Sequence, residues 1–384
     1  MEHQQPEIVI DFHRRRLQFK NPLQVWHTAD VQEIESIFEQ VQQAIDNGLY
    51  VVGYVSYESA AAFDKHYCVC LAADGDELPL IWFAAYTKPE TEPQPQQQTV
   101  ATAEAGSGRY ELSEWKMDTS SDRYTDDIAR IHGAIARGET YQVNYTTRLR
   151  ADFAGDDFAY YERLREGQQA DFAAYLNIGR YRIASVSPEL FFEWKGRTIR
   201  TKPMKGTMPR SANKQALYQS EKNRAENVMI VDLLRNDIGR IAETGSVHVP
   251  KLFEIEEYPT LYQMTSTVEA TVQPERTLFE LFQALFPCGS ITGAPKISTM
   301  QIIAELEQQP RHIYCGAIGL AVPGEGITFN VAIRTVLIDS EKKQAVYGVG
   351  GGVIWDSTAA DEYAELHTKA KILTYQHQAA VQQL

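Results

Sequence analysis

The chain has 384 residues, 43% hydrophobic and 23% charged, which fits a folded protein of two or three domains, or one large one, and excludes disordered, collagen-like and coiled-coil architectures. With 37 Lys+Arg against 51 Asp+Glu the formal net charge is -14; no basic patch is segregated against it, so no nucleic acid and no membrane surface is expected as a partner. No run reaches the ~18–20 apolar residues of a membrane span, and the start MEHQQPEIVIDFHRRR lacks the order of a signal peptide, so a cytoplasmic location is expected.

In chain order, LYVVGYVSYESAAAF and LPLIWFAAY are rich in Val, Tyr, Ile and Phe, as strands of a buried sheet are, and residues 1–86 read as an amino-terminal sheet-containing lobe. Between them Cys68 and Cys70 flank one residue in HYCVCLA, a spacing that puts both on one face of a strand. With Cys288 and Cys315 they make four cysteines, too few for a disulfide framework, with no second ligand pair for zinc and no G-x-C-x-G elbow. Residues 87–108, TKPETEPQPQQQTVATAEAGSG, form an exposed linker or loop.

Residues 109–384 follow as one region. Asp122 is expected to cap a helix carrying Ile128, Ile131 and Ile135 and stopping at Gly138. Strands are expected over TYQVNYTTRLRA, RYRIASV, LFFEWKG, ITFNVAIRTVLI and QAVYGVG. Helices are expected over SEKNRAENVMIVDLLRN, TLFELFQALF, KISTMQIIAELEQ and DEYAELHTKAKILTYQHQ. Without regular strand–helix alternation this is an α+β pattern.

Two helices present acidic or amide groups three apart, Asn223 with Glu226 and Glu362 with Glu365, each pair on one face. Such carboxylates suit a hard cation such as Mg²⁺. On spacing alone two solvated faces explain them as well, and Glu365 with Lys369 reads equally as a surface ion pair. YGVGGGVIW brings bare backbone N–H groups together but matches no dinucleotide or P-loop pattern, and a bulged strand is the plain alternative. PCGSITGAPK concentrates Gly, Ser and Thr before a helix, as a capped turn does.

Together these stretches resemble one family, the chorismate-utilising enzymes, through GETYQVN, SVSPELFFE, TKPMKGTMPR, KNRAENVMIVDLLRND, FPCGSITGAPK, YCGAIG, FNVAIRT, GVGGGV and DEYAELHTKAK, and GYVSYES is similar to the family's amino-terminal part. The fold implied is the chorismate-utilising-enzyme fold: large antiparallel β-sheets in a sandwich with helices packed outside. Lys205 of PMKGT resembles the aminodeoxychorismate synthase branch, where anthranilate synthases typically have Ala. The resemblance implies formation of 4-amino-4-deoxychorismate from chorismate and ammonia, with Lys205 as covalent nucleophile at ring carbon 2 and Glu189 of SPEL as general acid.

By the same resemblance Glu226 and Glu365 are implied as direct Mg²⁺ ligands and Glu362 as an outer or water-mediated one. Arg334, Tyr314, Lys369 and backbone near Gly350 are implied to meet the substrate, with Gly206, Thr207 and Thr292 lining the ring pocket. Gln142 stands where water-using relatives have a lysine, and Gln263 where anthranilate synthases have a histidine. With no amidotransferase elbow, ammonia is expected from a separate glutamine amidotransferase subunit in a heterodimer. The alternatives are an anthranilate synthase large subunit, which Lys205 and Gln263 oppose, and a non-catalytic partner subunit, which the retained acids and lysine oppose.

Overall fold

The computed structural model describes residues 6–71, 78–90, 108–211, 213–258 and 261–374. Most of the expected linker, residues 91–107, and the end of the last expected helix lie outside the described residues.

The described strands assemble into two antiparallel sheets of ten strands each. In the first, Gln142–Gly155 and Gln344–Val353 lie side by side, and the order continues through Thr335–Asp339, Tyr181–Ser187, Phe172–Asn177 and Glu7–Phe12 to Arg15–Phe19. In the second, Leu261–Thr271, Thr198–Lys202, Leu190–Lys195, Gly326–Val331, Ala317–Val322, Tyr50–Val55, Ile81–Tyr86 and Gln24–Thr28 follow one another, with Met204–Pro209 at the far edge. Strands that precede residue 87 therefore pair with later strands in both sheets.

The apolar runs are continuous because the strands are covered on both faces. Along Tyr50–Val55 and Ile81–Tyr86, Val52, Tyr54, Trp82 and Ala84 face the first sheet together with Ile8, Ile10, Leu176 and Ile183. Their alternates Val51, Val55, Ile81, Phe83 and Ala85 face the outer helices Ile34–Asp46, Glu221–Gly239 and Leu278–Leu285. Ser121–Ala136, Asp157–Gln168, Lys296–Glu307 and Ala359–Ala370 cover the outside of the first sheet. The result is the α+β sandwich with external helices that the motifs imply.

Three local expectations change. Ser120, whose hydroxyl oxygen accepts from the Arg123 N–H, caps the helix Ser121–Ala136 in place of Asp122, which lies within the first turn where an acid suits the positive helix end. The chain around Cys68 and Cys70 forms no strand, and Cys70 Sγ instead donates to the Ala304 carbonyl. The segment ITFNVAIRTVLI is two strands, Gly326–Val331 in the second sheet and Thr335–Asp339 in the first. The chain crosses between layers at Ala332–Arg334, and Arg334 takes φ +51 there, a left-handed value that non-glycine residues seldom adopt.

Candidate active site

The lysine and glutamate singled out by motif both sit at irregularities that re-aim a side chain. The pairing of Met204–Pro209 with Leu261–Thr271 shifts register between Met204 and Thr207, and Gly206 inside the shift takes φ +93. Gln263 grips this bulge: its Nε2 donates to the Gly206 carbonyl at 2.8 Å, and its Oε1 accepts from Thr207 Oγ1 at 2.9 Å. A Cβ on Gly206 would stand 3.0 Å from Asn223 Cβ, so helix Glu221–Gly239 approaches closely there. Burial pushes the Lys205 amine below its ordinary value, with Glu226, Glu189 and Glu365 opposing and Lys369 adding to the fall. Those acids act on Lys205 through charge alone, none through a hydrogen bond.

Glu189 lies where the register of Leu190–Lys195 slips against both neighbouring strands. Its backbone is fixed, the N–H donating to Ser187 Oγ at 3.2 Å and the carbonyl accepting from the Val331 N–H at 3.0 Å. The side chain is 3% exposed, and its Oε1 is buried with no hydrogen-bond partner among the described residues. Burial raises this carboxyl to about 7, against the pull of Ser290, Lys205 and Arg334. Near neutral pH it therefore holds a proton part of the time.

The glycine-rich segment is a regular strand rather than a bulged one, paired without a slip from Gln344↔Asp152 to Val353↔Val143. Its glycines make room. A Cβ on Gly352 would lie 3.0 Å from Lys205 Nζ and 2.9 Å from Gln142 Nε2; one on Gly351 would lie 2.9 Å from Glu362 Oε2 and 3.9 Å from Glu365 Oε1. A Cβ on Gly348 would run into the Tyr314 ring at 2.2 Å. Gln142 is fully buried, and both ends of its amide lack hydrogen-bond partners among the described residues.

Helix Ala359–Ala370 presents Glu362, Glu365 and Lys369 on one side of this strand. Lys369 Nζ donates to the Gly350 carbonyl at 2.7 Å and pairs with Glu365 at 2.7 Å. Glu362 Oε1 accepts from Ser357 Oγ at 2.7 Å. Burial raises Glu226 and Glu362 from the ordinary carboxylate value, while at Glu365 burial is the largest single influence but Lys369, Lys205 and Lys222 together outweigh it and lower the carboxyl. Among the described residues no group of three His, Cys, Asp or Glu side chains stands ready to hold a metal ion. The donor chemistry fits a hard cation completed by substrate and water: all three groups are carboxylates, and two are raised by burial despite the lysines around them.

Of the remaining residues named by motif, Arg334 is near Glu189, Tyr258 and Tyr347, and burial holds its guanidinium below the ordinary value. Tyr314 packs its ring on Gly348. Thr292 spends its hydroxyl on the Cys288 carbonyl at 3.1 Å, shaping the turn, and Thr207 spends its hydroxyl on Gln263. Three residues that the motifs did not single out join the cluster: Lys222, charge-coupled to Glu226, Glu362 and Glu365; Ser290, beside Glu189; and Ser357. Lys222 precedes Glu226 by four, one helical turn, the spacing that could have pointed to it.

A buried proton-holding carboxyl charge-coupled to a lysine with a lowered amine, with carboxylates and cations around one glycine strand, sits in an α+β sandwich that is the fold of chorismate enzymes. The chain belongs to the chorismate binding enzyme family, whose model matches residues 3–375. It is 40% identical over 265 residues to aminodeoxychorismate synthase component 1 of Salmonella typhimurium, covering 67% of this chain and 58% of that protein. It is 44% identical over 258 residues to the aminodeoxychorismate synthase of Streptomyces griseus, covering 65% and 35%. The chain thus spans about three fifths or less of these curated relatives. The crystal structure of anthranilate synthase component I from Streptococcus pneumoniae superposes with a TM-score of 0.77 at 24% identity, over 96% of this chain and 90% of that one, and supports the fold.

Proposed function

We propose that the protein converts chorismate and ammonia to 4-amino-4-deoxychorismate. The observation that carries this reading is the pair Lys205 and Glu189, coupled through charge and shifted in opposite directions: the amine below its ordinary value, the carboxyl raised to about 7. Neutral Lys205 attacks ring carbon 2, both double bonds of the ring diene shift by one position, and the carbon 4 C–O bond breaks while Glu189 gives its proton to the departing hydroxyl, releasing water. The adduct nitrogen stays protonated. Ammonia then attacks carbon 4, both double bonds shift back, the carbon 2–nitrogen bond breaks to free Lys205 as a neutral amine, and the new ammonium returns a proton to Glu189. The net change is replacement of hydroxyl by amine.

Arg334 and Tyr314 bind the enolpyruvyl carboxylate, Lys369 adds a second cation, and Gly206, Thr207, Thr292 and Gly350 wall the ring. Glu226 and Glu365 would hold Mg²⁺, with Glu362 steadied by Ser357 behind them. The ion would supply positive charge to the ring carboxylate. Gln142, a neutral amide beside Lys205, offers no base to water, which speaks for an amine product.

Ammonia comes from a separate glutamine amidotransferase subunit. The names of the relatives, component 1 of a synthase, support a partner. Among the described residues no helix is long and apolar enough to cross a membrane, which accords with a cytoplasmic enzyme. The test is a mass-spectrometric product assay with chorismate, Mg²⁺ and ammonium at raised pH. 4-Amino-4-deoxychorismate without pyruvate release is expected; anthranilate or isochorismate as main product would sink the reading.

A further inference from the structure

The motif GYVSYES leaves one group that the reaction does not use. Glu58 is 2% exposed, yet its carboxylate accepts two backbone hydrogen bonds from a distant loop, from Arg311 N at 2.7 Å and His312 N at 3.0 Å. The preceding Tyr57 N–H donates to the His312 carbonyl at 2.9 Å, and the Arg311 guanidinium lies over the Tyr57 ring, 4.5 Å from its centroid. The same guanidinium reaches across the site, donating to the carbonyls of Ile291 at 2.9 Å and Asn144 at 2.8 Å. Ile291 precedes Thr292, and Asn144 pairs with Gly352.

The loop is strained. His312 takes φ +56 and Cys315 φ +65, two non-glycine residues in the left-handed region on either side of Tyr314. Such conformations are unfavourable for side chains with a Cβ and persist only when their surroundings hold them. Glu58 is an expensive holder, since burial raises its carboxyl to about 7 against the pull of the Arg311 N–H, its own N–H and the charges of Arg148 and Arg311. A carboxylate accepts from both amides at once, whereas a side-chain amide presents one acceptor and one donor.

We propose that Glu58 is a positioning residue: its carboxylate clamps the Arg311–His312 backbone so that Tyr314 is held against Gly348, ready to donate to the substrate's enolpyruvyl carboxylate. The inference rests on the role given to Tyr314 above. It makes the amino-terminal segment part of the substrate pocket without touching substrate.

The test is a double-mutant cycle in the full chain. Glu58→Gln alone is expected to raise KM for chorismate about tenfold with kcat little changed, as loss of about one hydrogen bond of uniform binding does. Tyr314→Phe is expected to raise KM similarly, and the double variant no further, because Glu58 acts through Tyr314. Additive effects, or an unchanged KM in Glu58→Gln while Tyr314→Phe raises it, overturn the proposal. An unchanged KM in Tyr314→Phe overturns the role of Tyr314 itself. If Glu58→Gln does not fold, Glu58→Asp, which keeps the charge one methylene short, replaces it in the same cycle, and the same two outcomes decide.

Discussion

Two lysines in this protein, one buried and one half-buried, meet opposite fates. Lys296, at the start of helix Lys296–Glu307, donates to Asp237 at 2.8 Å and to the Leu285 carbonyl at 3.2 Å, and Asp237 outweighs burial to raise its amine. Lys205 has three acids at electrostatic range but none bonded to it, and burial lowers its amine. The paired lysine is a permanent cation that ties two helices together. The one without a bonded partner has a depressed amine, the form on which the nucleophilic role proposed for Lys205 depends.

Substitution separates the two roles most sharply. Lys205→Ala should lower kcat for amination by ~10³-fold or more, with circular dichroism and melting temperature close to the parent. Lys296→Met should do the reverse in kind, costing ~3–5 kcal/mol of stability because Asp237 is left buried without its partner; denaturant unfolding measures it. A Lys205→Ala protein that aminates chorismate at the parental rate removes the covalent role.

Next in size is the carboxylate set around Lys205. Glu226→Ala or Glu365→Ala should raise the Mg²⁺ concentration for half-maximal rate by ~10–100-fold, read from metal titrations of activity. Full activity of the parent in excess chelator would exclude the metal.

How much of this contrast is legible in sequence differs between the two lysines. PMKGT identifies Lys205 because its neighbours resemble a family, but the motif does not show the bulge, the Gln263 grip or the space left by Gly352, which depend on strands more than fifty residues away. Lys296 is present in GAPK with no sign of Asp237, which lies 59 residues upstream. Likewise Glu58 is visible in GYVSYES, whereas its loop lies more than 250 residues on. Periodicity locates most strands and helices because both strand faces are apolar; it cannot show that ITFNVAIRTVLI changes sheets at Arg334, since the hydrophobic run continues through the crossing.

Gly352→Ala sharpens the comparison without removing a functional group. The added methyl would stand 3.0 Å from Lys205 Nζ, so the amine must move off its line while the strand stays paired. A drop in kcat of about tenfold with little change in stability is expected; an unchanged kcat would mean that the amine has room to spare. No such loss is expected from a cavity or cap change near Lys296.

The acid beside Lys205 sets a pH dependence with a definite sign. Glu189 is raised to about 7, so its catalytic proton is present below that pH, and kcat/KM should fall as pH rises above about 7. Stability runs the same way: the folded chain keeps this proton to a higher pH than the unfolded chain, so stability declines from about pH 4.5 to about 7, by roughly 3 kcal/mol at most. Glu189→Gln should flatten both profiles, the first at much lower activity. Profiles that keep their shape in that variant would assign the titration elsewhere.

The smallest expected effect concerns a third buried nucleophile, and it shows why burial alone does not make one reactive. Cys288 is 4% exposed and neighbours Ser290 at 3.2 Å. Burial, with Glu189 adding to it, pushes its thiol up to about 12. Burial favours the uncharged form of every group; for an amine that form attacks, for a thiol it is inert. Cys315 follows the same rule, its buried thiol raised to about 11. Neither thiol is equipped to open the amide of glutamine, so glutamine alone should yield no aminodeoxychorismate, and Cys288→Ala should aminate with ammonium at close to the parental rate. Adding the glutaminase partner should restore glutamine use equally in both proteins. Turnover on glutamine by the purified chain, lost in Cys288→Ala, would show that the thiolate forms despite its surroundings and that the contrast with Lys205 is wrong.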